Sequence, residues 1–373
     1  MKKVLFVSYT DFIKNTFTGG QKASQRNYQM NVAIFGEENV DVILFDREIT
    51  ETRDGHFICV KSSSSKINTF LSCFQGYARG YTKRCEKAIL KQLRQEKYDY
   101  IYIDFSGYGI SLKKIRAIFK GIIITFFHDP EYLYELNRAK HDSKFYYLSA
   151  WAIRKAEKIA VKYSDYLIAL NSRDHKLIQK IYNREPDIDL PISFQDIVDE
   201  NRLFNEKSEG YLLFVGSDFG PNVDGLRWFI EKIMPNVTKT LKIVGKGMER
   251  YKNEMTHNNV EVVGTVEDLS DYYYKAECVV LPIRYGDGMK VKTAEALMYG
   301  RTVIGTNEAF EGYEIKDSFE GYRCNTAEEF ITRINNLKES GYNVNSRKLF
   351  MDKHNLYNTI SIYKNLLKTG EQE

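Results

Sequence analysis

The segment richest in residues that could do chemistry spans 281–305 and has the sequence LPIRYGDGMKVKTAEALMYGRTVIG. An apolar strand pattern ends in a glycine-containing turn, and a helical pattern begins near Lys290. Backbone N–H groups at a helix start attract phosphate, and Arg284, Lys290 and Lys292 add full positive charges. Glu295 follows one and a half turns into the helix, where its carboxylate can accept hydrogen bonds from a ribose diol. The pattern predicts a phosphate and ribose site; the alternative is an ordinary strand–turn–helix unit with solvated charges.

The spacing of two acidic residues in this segment carries a family resemblance. Asp287 and Glu295 stand eight positions apart, and Glu295 begins the run EALMYG. In this respect the chain resembles the retaining GT-B glycosyltransferases of family 4 (glycosyl transferases group 1), whose donor site has two acids at this separation followed by EA-x-x-x-G. The run GDGMKVK is similar to a bacterial surface-polysaccharide branch of that family. The resemblance implies a ribose contact for Glu295 and a sugar contact for Asp287, which stands where the family usually has Glu.

The resemblance also implies roles for residues near the ends of other strands. His128 follows the apolar run 122–127, at a place where family members have a histidine that contacts the transferred sugar. From the residue alone, a structural hydrogen bond is the commoner role. We therefore predict His128, Asp287 and Lys290 as catalytic residues. Glu131 is predicted as an acceptor-site carboxylate, with a helix N-terminal acid as the simpler alternative.

A glycine pair follows the first strand and supplies further candidates. Gly19 and Gly20 precede a helical pattern over 23–35, and a glycine turn before a helix lets backbone amides approach a phosphate or sugar closely. Family members carry a GG loop at this place, near the donor phosphates and the acceptor. Arg26, in the same helix, is predicted to bind the acceptor.

The remaining donor-site candidates lie in the second half of the chain. Gly216 and Ser217 close the strand 211–215, and Asn222 lies at the start of the next helix. Related enzymes often have Arg and Lys where Ser217 and Asn222 stand, so the positive charge for the diphosphate is expected from the lysines of the 281–305 segment. Further donor contacts are predicted for residues at strand ends and at the start of the helix, namely Lys246, Val266, Gly288, Met289 and Val291. Plain turn chemistry is the alternative for Lys246 and Val266.

The order of elements predicts an α/β protein with two domains. The chain has 373 residues, which exceeds one typical core. Apolar strand-like runs alternate with helical stretches, as parallel sheets with crossover helices require. They fall at 4–9, 40–45, 57–60, 100–105, 122–127 and 166–170, and again at 211–215, 241–244, 260–263, 278–281 and 302–304.

Two doubly wound, Rossmann-like domains facing a central cleft are therefore expected, in the GT-B arrangement that the resemblance implies. We predict an acceptor-binding domain over 1–195 and a nucleotide-sugar-binding domain over 205–350. The linker is predicted over 190–208, a polar and charged run that is irregular because it lacks clear periodicity. A closing helix is predicted over 346–368, and its part from about 352 to the end is expected to pack back on the first domain, as is common in GT-B enzymes.

Positive charge is concentrated in the first half. Up to Glu200 there are 31 basic and 25 acidic residues, against 23 and 25 afterwards. The segment 61–97 holds nine basic and two acidic residues interleaved with aromatic side chains. Such a surface suits anionic lipid headgroups or a lipid-linked acceptor. A solvated basic helix is the alternative, and nucleic acid is not an expected partner because no recognised nucleic-acid module is present.

Compartment and cofactors follow from what the sequence lacks. No run of eighteen apolar residues occurs, and the apolar run after Lys3 is too short for a signal peptide. Five widely spaced cysteines without a CxxC pair favour a reducing cytoplasm and argue against structural zinc. No cofactor and no metal are expected.

The expected function is transfer of a hexose from a nucleotide-diphosphate sugar, with UDP favoured, to a hydroxyl of a lipid-linked or cell-surface glycan, with retention of configuration. A UDP-sugar epimerase of the same fold and a non-catalytic subunit of a transferase complex remain as alternatives.

Overall fold

The computed structural model describes residues 2–13, 19–63, 65–77, 79–141, 143–255, 258–286, 288–337 and 341–369. It divides into two compact units. The first comprises Met1–Pro191 together with Thr359–Glu373, and the second comprises Ile192–Asn358. Each unit is built around one sheet.

The first unit is an α/β layer structure around an eight-stranded sheet in the described part of the chain. Its strands are β1 Val4–Ser8, β2 Val40–Asp46, β3 Thr52–Asp54, β4 Phe57–Lys61, β5 Tyr100–Ile103, β6 Ile122–Phe127, β7 Tyr166–Ala169 and β8 Ile188–Asp189. Its helices are α1 Gly19–Phe35, α2 Lys66–Phe74, α3 Lys83–Gln95, α4 Leu112–Ile118, α5 Glu131–His141, α6 Tyr146–Tyr163 and α7 Ser172–Tyr182. The strand order is β3-β4-β2-β1-β5-β6-β7-β8, and the pairing is parallel except between β3 and β4.

The second unit has a six-stranded sheet that is parallel throughout the described residues. Its strands are β9 Tyr211–Val215, β10 Leu241–Val244, β11 Val260–Gly264, β12 Ala276–Leu281, β13 Thr302–Gly305 and β14 Gly321–Arg323. Its helices are α8 Glu200–Asn205, α9 Gly220–Lys232, α10 Lys252–Met255, α11 Ser270–Lys275, α12 Val291–Met298, α13 Ala327–Asn335 and α14 Val344–Leu349, and α15 Leu356–Thr369 follows. The strand order is β11-β10-β9-β12-β13-β14.

The central strands explain why the apolar runs form these sheets. Every residue of β1, β9 and β12 is buried, because helices cover both faces of a parallel sheet and leave no side for water. These strands therefore consist of apolar residues with little polar alternation. The predicted α/β class with two doubly wound sheets is confirmed.

The C-terminal segment differs from the single predicted helix over 346–368. Helix α14 runs into one turn of π-helix at Phe350–His354, and Asn355 is extended before α15 begins. Asn355 bridges to Phe194, whose N–H donates to His354 O at 3.0 Å and whose carbonyl accepts from Leu356 N at 2.8 Å. The break thus satisfies backbone groups that a continuous helix would have used internally.

The part of α15 from Thr359 onward belongs to the first unit. Tyr363 is fully buried there, lies edge-on to Tyr102 with ring centroids 5.9 Å apart, and donates its hydroxyl to Asn31 Oδ1 at 3.2 Å. Burial of an aromatic ring of this size with its hydroxyl satisfied is a substantial anchor for the terminal helix.

Two other local predictions are corrected. The segment 190–208, predicted as an irregular linker, contains α8, which Asp199 caps by accepting from Asn201 N and Arg202 N. Among the described residues the first helix already includes Gly19 and Gly20, whereas the sequence predicts it from residue 23. The two glycines are therefore helical and do not form a turn before the helix.

Candidate functional site

The strand order of the second unit locates a ligand-binding edge. Strands β10 and β12 pair with opposite sides of β9, so the connections reverse direction between β9 and β12. In open α/β sheets, ligands bind outside the carboxyl ends of the strands at this switch point. Gly216 follows β9 directly, and the segment that follows β12 leads into α12.

The amine of Lys292, a half-buried residue, lies at this switch point. The Lys292 Nζ donates to Asn222 Oδ1, and Asn222 Nδ2 donates to Ser217 O at 2.9 Å. The same Nζ lies 4.8 Å from the centroid of the Phe214 ring. A Cβ on Gly216 would lie 2.9 Å from Lys292 Nζ, Asn222 Nδ2 and a carbon of the Phe214 ring, so a side chain there would displace the amine from its present place.

The environment changes the protonation of this amine. Burial lowers the pKa of Lys292 to about 7; the nearby Glu295 carboxylate opposes the shift, and the Lys290 charge adds to it. Desolvation disfavours the charged form of an amine because the lost hydration is not replaced by a full counter-charge. An anion placed beside Nζ would supply that counter-charge.

Two helix starts adjoin the amine. Helix α12 begins after Lys290 and helix α9 begins after Phe219, and neither start has a side-chain capping bond among the described residues. Helix α9 also has Pro221 in its first turn, where the missing N–H costs nothing. The uncapped N–H groups and the positive ends of both helix dipoles favour negative charge at this place.

Lys290 is also oriented by neighbours, which the sequence prediction did not include. Its Nζ donates to Gly288 O at 2.7 Å and forms an ion pair with Glu308 Oε1 at 2.6 Å. Tyr313 donates its hydroxyl to Lys290 O at 2.8 Å. Gly288 adopts a φ of 64°, a conformation that favours glycine and turns its carbonyl toward the amine. The Lys290 charge is thus shared with Glu308.

Glu295 is buried on α12, with 9% of its surface exposed. Tyr273 donates its hydroxyl to Glu295 Oε2 at 3.3 Å, and its ring stacks on Tyr299 with centroids 4.7 Å apart. Burial first, and the Glu295 charge second, raise the pKa of the Tyr273 hydroxyl, so it remains a donor. The carboxylate is therefore held in one orientation beside the start of α12.

The other predicted donor residues are distributed around this edge. Met289 is buried, Val291 and Val266 are half-buried, and Ser217 and Lys246 are exposed. Arg284 is exposed and lies 5.5 Å from the centroid of the Trp228 ring. Asp287 lies outside the described residues.

In the first unit, His128 belongs to a buried cluster at the corresponding switch point between β1 and β5. Its Nε2 donates to Asp104 O at 2.8 Å and lies 3.6 Å from Asp104 Oδ1. Asp104 Oδ1 accepts from Asn27 Nδ2 at 2.6 Å, and Oδ2 accepts from Ser8 Oγ at 3.4 Å. Because a carbonyl only accepts, Nε2 carries the proton, and Nδ1 has no hydrogen-bond partner among the described residues.

Sequence reasoning did not find Ser8, Asn27 or Asp104. A signal was present, because Ser8 ends β1 and Asp104 follows β5. Only the strand order shows that these two strands are neighbours at the switch point.

The two predicted acceptor residues have partners inside the first unit. Glu131 forms an ion pair with Arg79 Nη1 at 2.7 Å, and Arg79 Nε pairs with Glu135 Oε1 at 2.9 Å. Arg26 donates from Nη1 to Pro191 O at 3.0 Å, and burial lowers its pKa to about 10. These contacts give both side chains a structural role; acceptor contact stays a prediction.

The described residues include no group of three or more His, Cys, Asp or Glu side chains arranged to hold a metal ion. None of the helices described is both long and apolar enough to cross a membrane.

Comparison with known proteins identifies the fold. Residues 209–340 match the family model described as Glycosyl transferases group 1. Sucrose-phosphate synthase from Thermosynechococcus elongatus has 14% sequence identity and a TM-score of 0.73, with 99% of each chain covered. HepE from Anabaena, solved in complex with UDP and glucose, has 14% identity and a TM-score of 0.65, with 99% of this chain and 100% of that chain covered.

A third similar structure is the apo form of the lipopolysaccharide outer core galactosyltransferase WaaB, with 15% identity, a TM-score of 0.62, and 97% and 99% of the two chains covered. No curated protein matches this chain by sequence. The predicted GT-B fold is confirmed, and the family match covers most of the second unit, which contains the Lys292 site.

Proposed function

We propose that the protein is a glycosyltransferase that moves a hexose from a UDP-sugar to a hydroxyl of a lipid-linked or cell-surface glycan. The observation that carries the proposal is the Lys292 amine, whose pKa is lowered at the β9–β12 switch point between two helix starts without side-chain caps among the described residues. A diphosphate is a ligand whose negative charge and hydrogen-bond acceptors complement the cationic side chains and helix starts at this place.

The chemistry follows from the leaving group. When the bond between the sugar and the diphosphate breaks, negative charge accumulates on the diphosphate. Lys292, Lys290 and the N–H groups at the start of α12 are positioned to stabilise that charge, and such fixed groups need no reorganisation during the reaction. We propose that they do so without a divalent cation.

Glu295 is proposed to accept hydrogen bonds from the ribose diol, because its buried carboxylate is oriented by Tyr273 beside the diphosphate site. The choice of UDP is supported by the similar HepE structures, which contain UDP, UDP and glucose, or UDP-glucose. It is also supported by the match to the group 1 family model.

In the first unit we propose that His128 contacts the transferred sugar through Nδ1. The Asp104 carbonyl holds the proton on Nε2, which leaves Nδ1 as an acceptor for a sugar or acceptor hydroxyl. Retention of configuration is part of the proposal and rests on the family resemblance. A reaction at the cytoplasmic face of a membrane, in synthesis of a capsule or other cell-envelope polysaccharide, is proposed for the same reason.

A donor screen tests the proposal. The purified protein is incubated with UDP-, GDP- and dTDP-sugars, with and without a membrane lipid extract as the acceptor source. Release of nucleoside diphosphate that depends on the extract supports transfer. Isomerised donor without release would instead identify an epimerase, and binding of UDP without either product would identify a non-catalytic subunit.

A further inference from the structure

One buried carboxylate of the first unit has no part in the chemistry proposed above. Glu157 lies on α6 and is fully buried. A carboxylate in such a place needs hydrogen-bond donors, because they replace the hydration that it loses on folding. The donors around Glu157 therefore show which parts of the chain it holds.

Four donors surround this carboxylate. Its Oε1 accepts from Ser106 Oγ at 2.9 Å and from Glu131 N at 3.0 Å. Its Oε2 accepts from Tyr132 N at 3.3 Å and from the hydroxyl of Tyr182. Each oxygen thus holds one backbone N–H group and one hydroxyl. Both N–H groups belong to the first turn of α5, where the helix dipole also favours a negative charge.

These bonds reach the two segments that carry His128 and its hydrogen-bond partner. Asp104, whose carbonyl accepts from His128 Nε2 at 2.8 Å, lies two residues before Ser106. Glu131 lies three residues after His128. The Glu157 carboxylate therefore connects the turn after β5 to the turn after β6, and the bond between His128 and Asp104 connects the same two turns.

The turn after β5 packs closely on α6, the helix that carries Glu157. This turn is a short 3₁₀ helix at Ser106–Ser111. A Cβ on Gly109 would lie 2.2 Å from Ala156 O and 2.6 Å from Ala160 Cβ, so the backbone of the turn lies directly on α6. Helix α6 is thus a fixed support, and Glu157 extends that support to the turn that contains His128.

We propose that Glu157 is a positioning residue that holds the His128 ring in the orientation in which Nδ1 can contact the transferred sugar. The inference rests on the proposed function, since it assigns a cause to the proposed His128 contact. Because Glu157 is fully buried, it acts through the backbone of residues 104–106 and 128–132. The alternative is a cap that stabilises α5 and does nothing more.

Glu157→Gln is the informative variant. A carboxamide has nearly the same shape, but only its oxygen accepts a hydrogen bond. Its NH2 group would face the N–H of Glu131 or that of Tyr132, so one of the two bonds to the start of α5 is lost. The turn that contains His128 should then move relative to Asp104.

The charge of Glu157 sets the pH of the experiments. Burial raises the pKa of Glu157 to about 7; the hydrogen bond from Tyr182 opposes this shift, and the nearby Glu131 charge adds to it. At pH 8 about nine-tenths of the group is therefore a carboxylate, and the contrast with Gln is large.

NMR of protein labelled with nitrogen-15 histidine reads the His128 ring directly. In the wild-type protein Nε2 carries the proton and Nδ1 does not, so the two nitrogens should have widely separated shifts. In Glu157→Gln we expect the shifts to move toward each other, because Asp104 O no longer selects one tautomer. The His128 signals are assigned by their loss in His128→Gln. This measurement needs neither donor nor acceptor.

Kinetics test the consequence for transfer. Glu157→Gln should lower kcat about tenfold to a hundredfold, because a displaced contact to the reacting sugar costs rate. The Kd for UDP should not change, since Lys292 and Glu295, which are proposed to bind it, belong to the second unit. A fall in kcat together with an equal loss of UDP affinity would show general damage and overturn the proposal.

Two hydroxyl deletions form a matched pair. Ser106→Ala and Tyr182→Phe each remove one hydroxyl donor from the same carboxylate, but Ser106 lies in the turn after β5 whereas Tyr182 ends α7. Ser106→Ala should alter the His128 shifts and lower kcat, by less than Glu157→Gln does. Tyr182→Phe should lower Tm and leave both unchanged. This pair also decides the question if Glu157→Gln does not fold.

The proposal is overturned if Glu157→Gln lowers Tm but leaves the His128 shifts as they are, because Glu157 would then be a helix cap alone. Equal changes at His128 in Tyr182→Phe and Ser106→Ala would also overturn it, since any loosening of the unit would then have the same effect. Altered His128 shifts with an unchanged kcat would remove the link to transfer. If the wild-type protein transfers no sugar from any donor, the proposed function fails, and the NMR comparison still decides whether Glu157 positions His128.

Discussion

The pKa of Lys292 gives the most discriminating test of the nucleotide site. In the free protein the pKa of this amine is lowered to about 7 by burial. A diphosphate beside Nζ restores the missing counter-charge and raises the pKa again. Binding of UDP above pH 7 must therefore draw a proton from the solution. At pH 8 about nine-tenths of the free amine is neutral, so about 0.9 proton should be taken up per UDP bound.

Isothermal titration calorimetry measures this uptake. The apparent binding enthalpy at pH 8 should differ between Tris and HEPES by about 0.9 of the difference in their ionisation enthalpies. The affinity should also fall about eightfold between pH 7.5 and pH 8.5, because the protonated amine becomes scarce while the bound state still requires it. A weaker affinity at higher pH is the direction expected for an amine whose pKa is lowered in the free protein and raised again by the bound diphosphate.

Lys292→Met is the informative variant, and Lys232→Met, an exposed lysine of α9, is its control. The methionine variant should lose the buffer dependence and most of the affinity, while its unliganded Tm should not fall because no buried amine remains to be desolvated. The control should match the wild-type protein. Proton uptake that persists in Lys292→Met, or a wild-type enthalpy that is the same in both buffers, would refute the placement of the diphosphate.

Three further outcomes are expected. Glu295→Gln should raise the Kd for UDP and for uridine alike by about tenfold to a hundredfold, since charged hydrogen bonds to the ribose are lost; an unchanged Kd for uridine would remove Glu295 from the ribose site. Lys290→Met should lower kcat more than it changes the Kd for UDP, because the Lys290 charge is partly compensated by Glu308 before negative charge develops on the leaving diphosphate. If the variant and the wild-type protein had the same rate of sugar transfer in rapid-mixing assays, a role of Lys290 in stabilising the leaving group would be contradicted. Gly216→Ala should weaken UDP binding, because the new methyl group would crowd the Lys292 amine, and a crystal structure of the variant should show that amine displaced.

Much of the fold was available from the sequence. The central strands consist mostly of apolar residues because they are buried on both faces, so their positions are predicted within a residue or two at each end. The strands β3, β8 and β14 were not predicted, because they have two or three residues and carry no apolar run. The break at Asn355 was missed because the apolar spacing continues through it, and only the bridge to Phe194 ends the helix.

The candidate site was partly predictable. The glycine turn, the lysines and Glu295 lie close together in the chain, so their proximity at the start of α12 followed from local pattern. The hydrogen-bond and ion-pair partners of the two lysines are distant in sequence. Asn222 is 70 residues from Lys292, and Glu308 is 18 residues from Lys290. Residues such as Asp104 and Asn27 carried no motif, since what joins them is the order of strands in a sheet.

The sequence by itself determined which segments form most of the strands and helices, and it determined the charge and glycine content of the segment before α12. Local propensity and hydrophobic periodicity depend on residues that are neighbours in the sequence, so they can be read without knowing the tertiary structure. Tertiary structure decided the protonation of Lys292 and the cluster around His128. A pKa and a hydrogen-bond network depend on desolvation and on contacts between distant residues, and these exist only once the sheets have assembled.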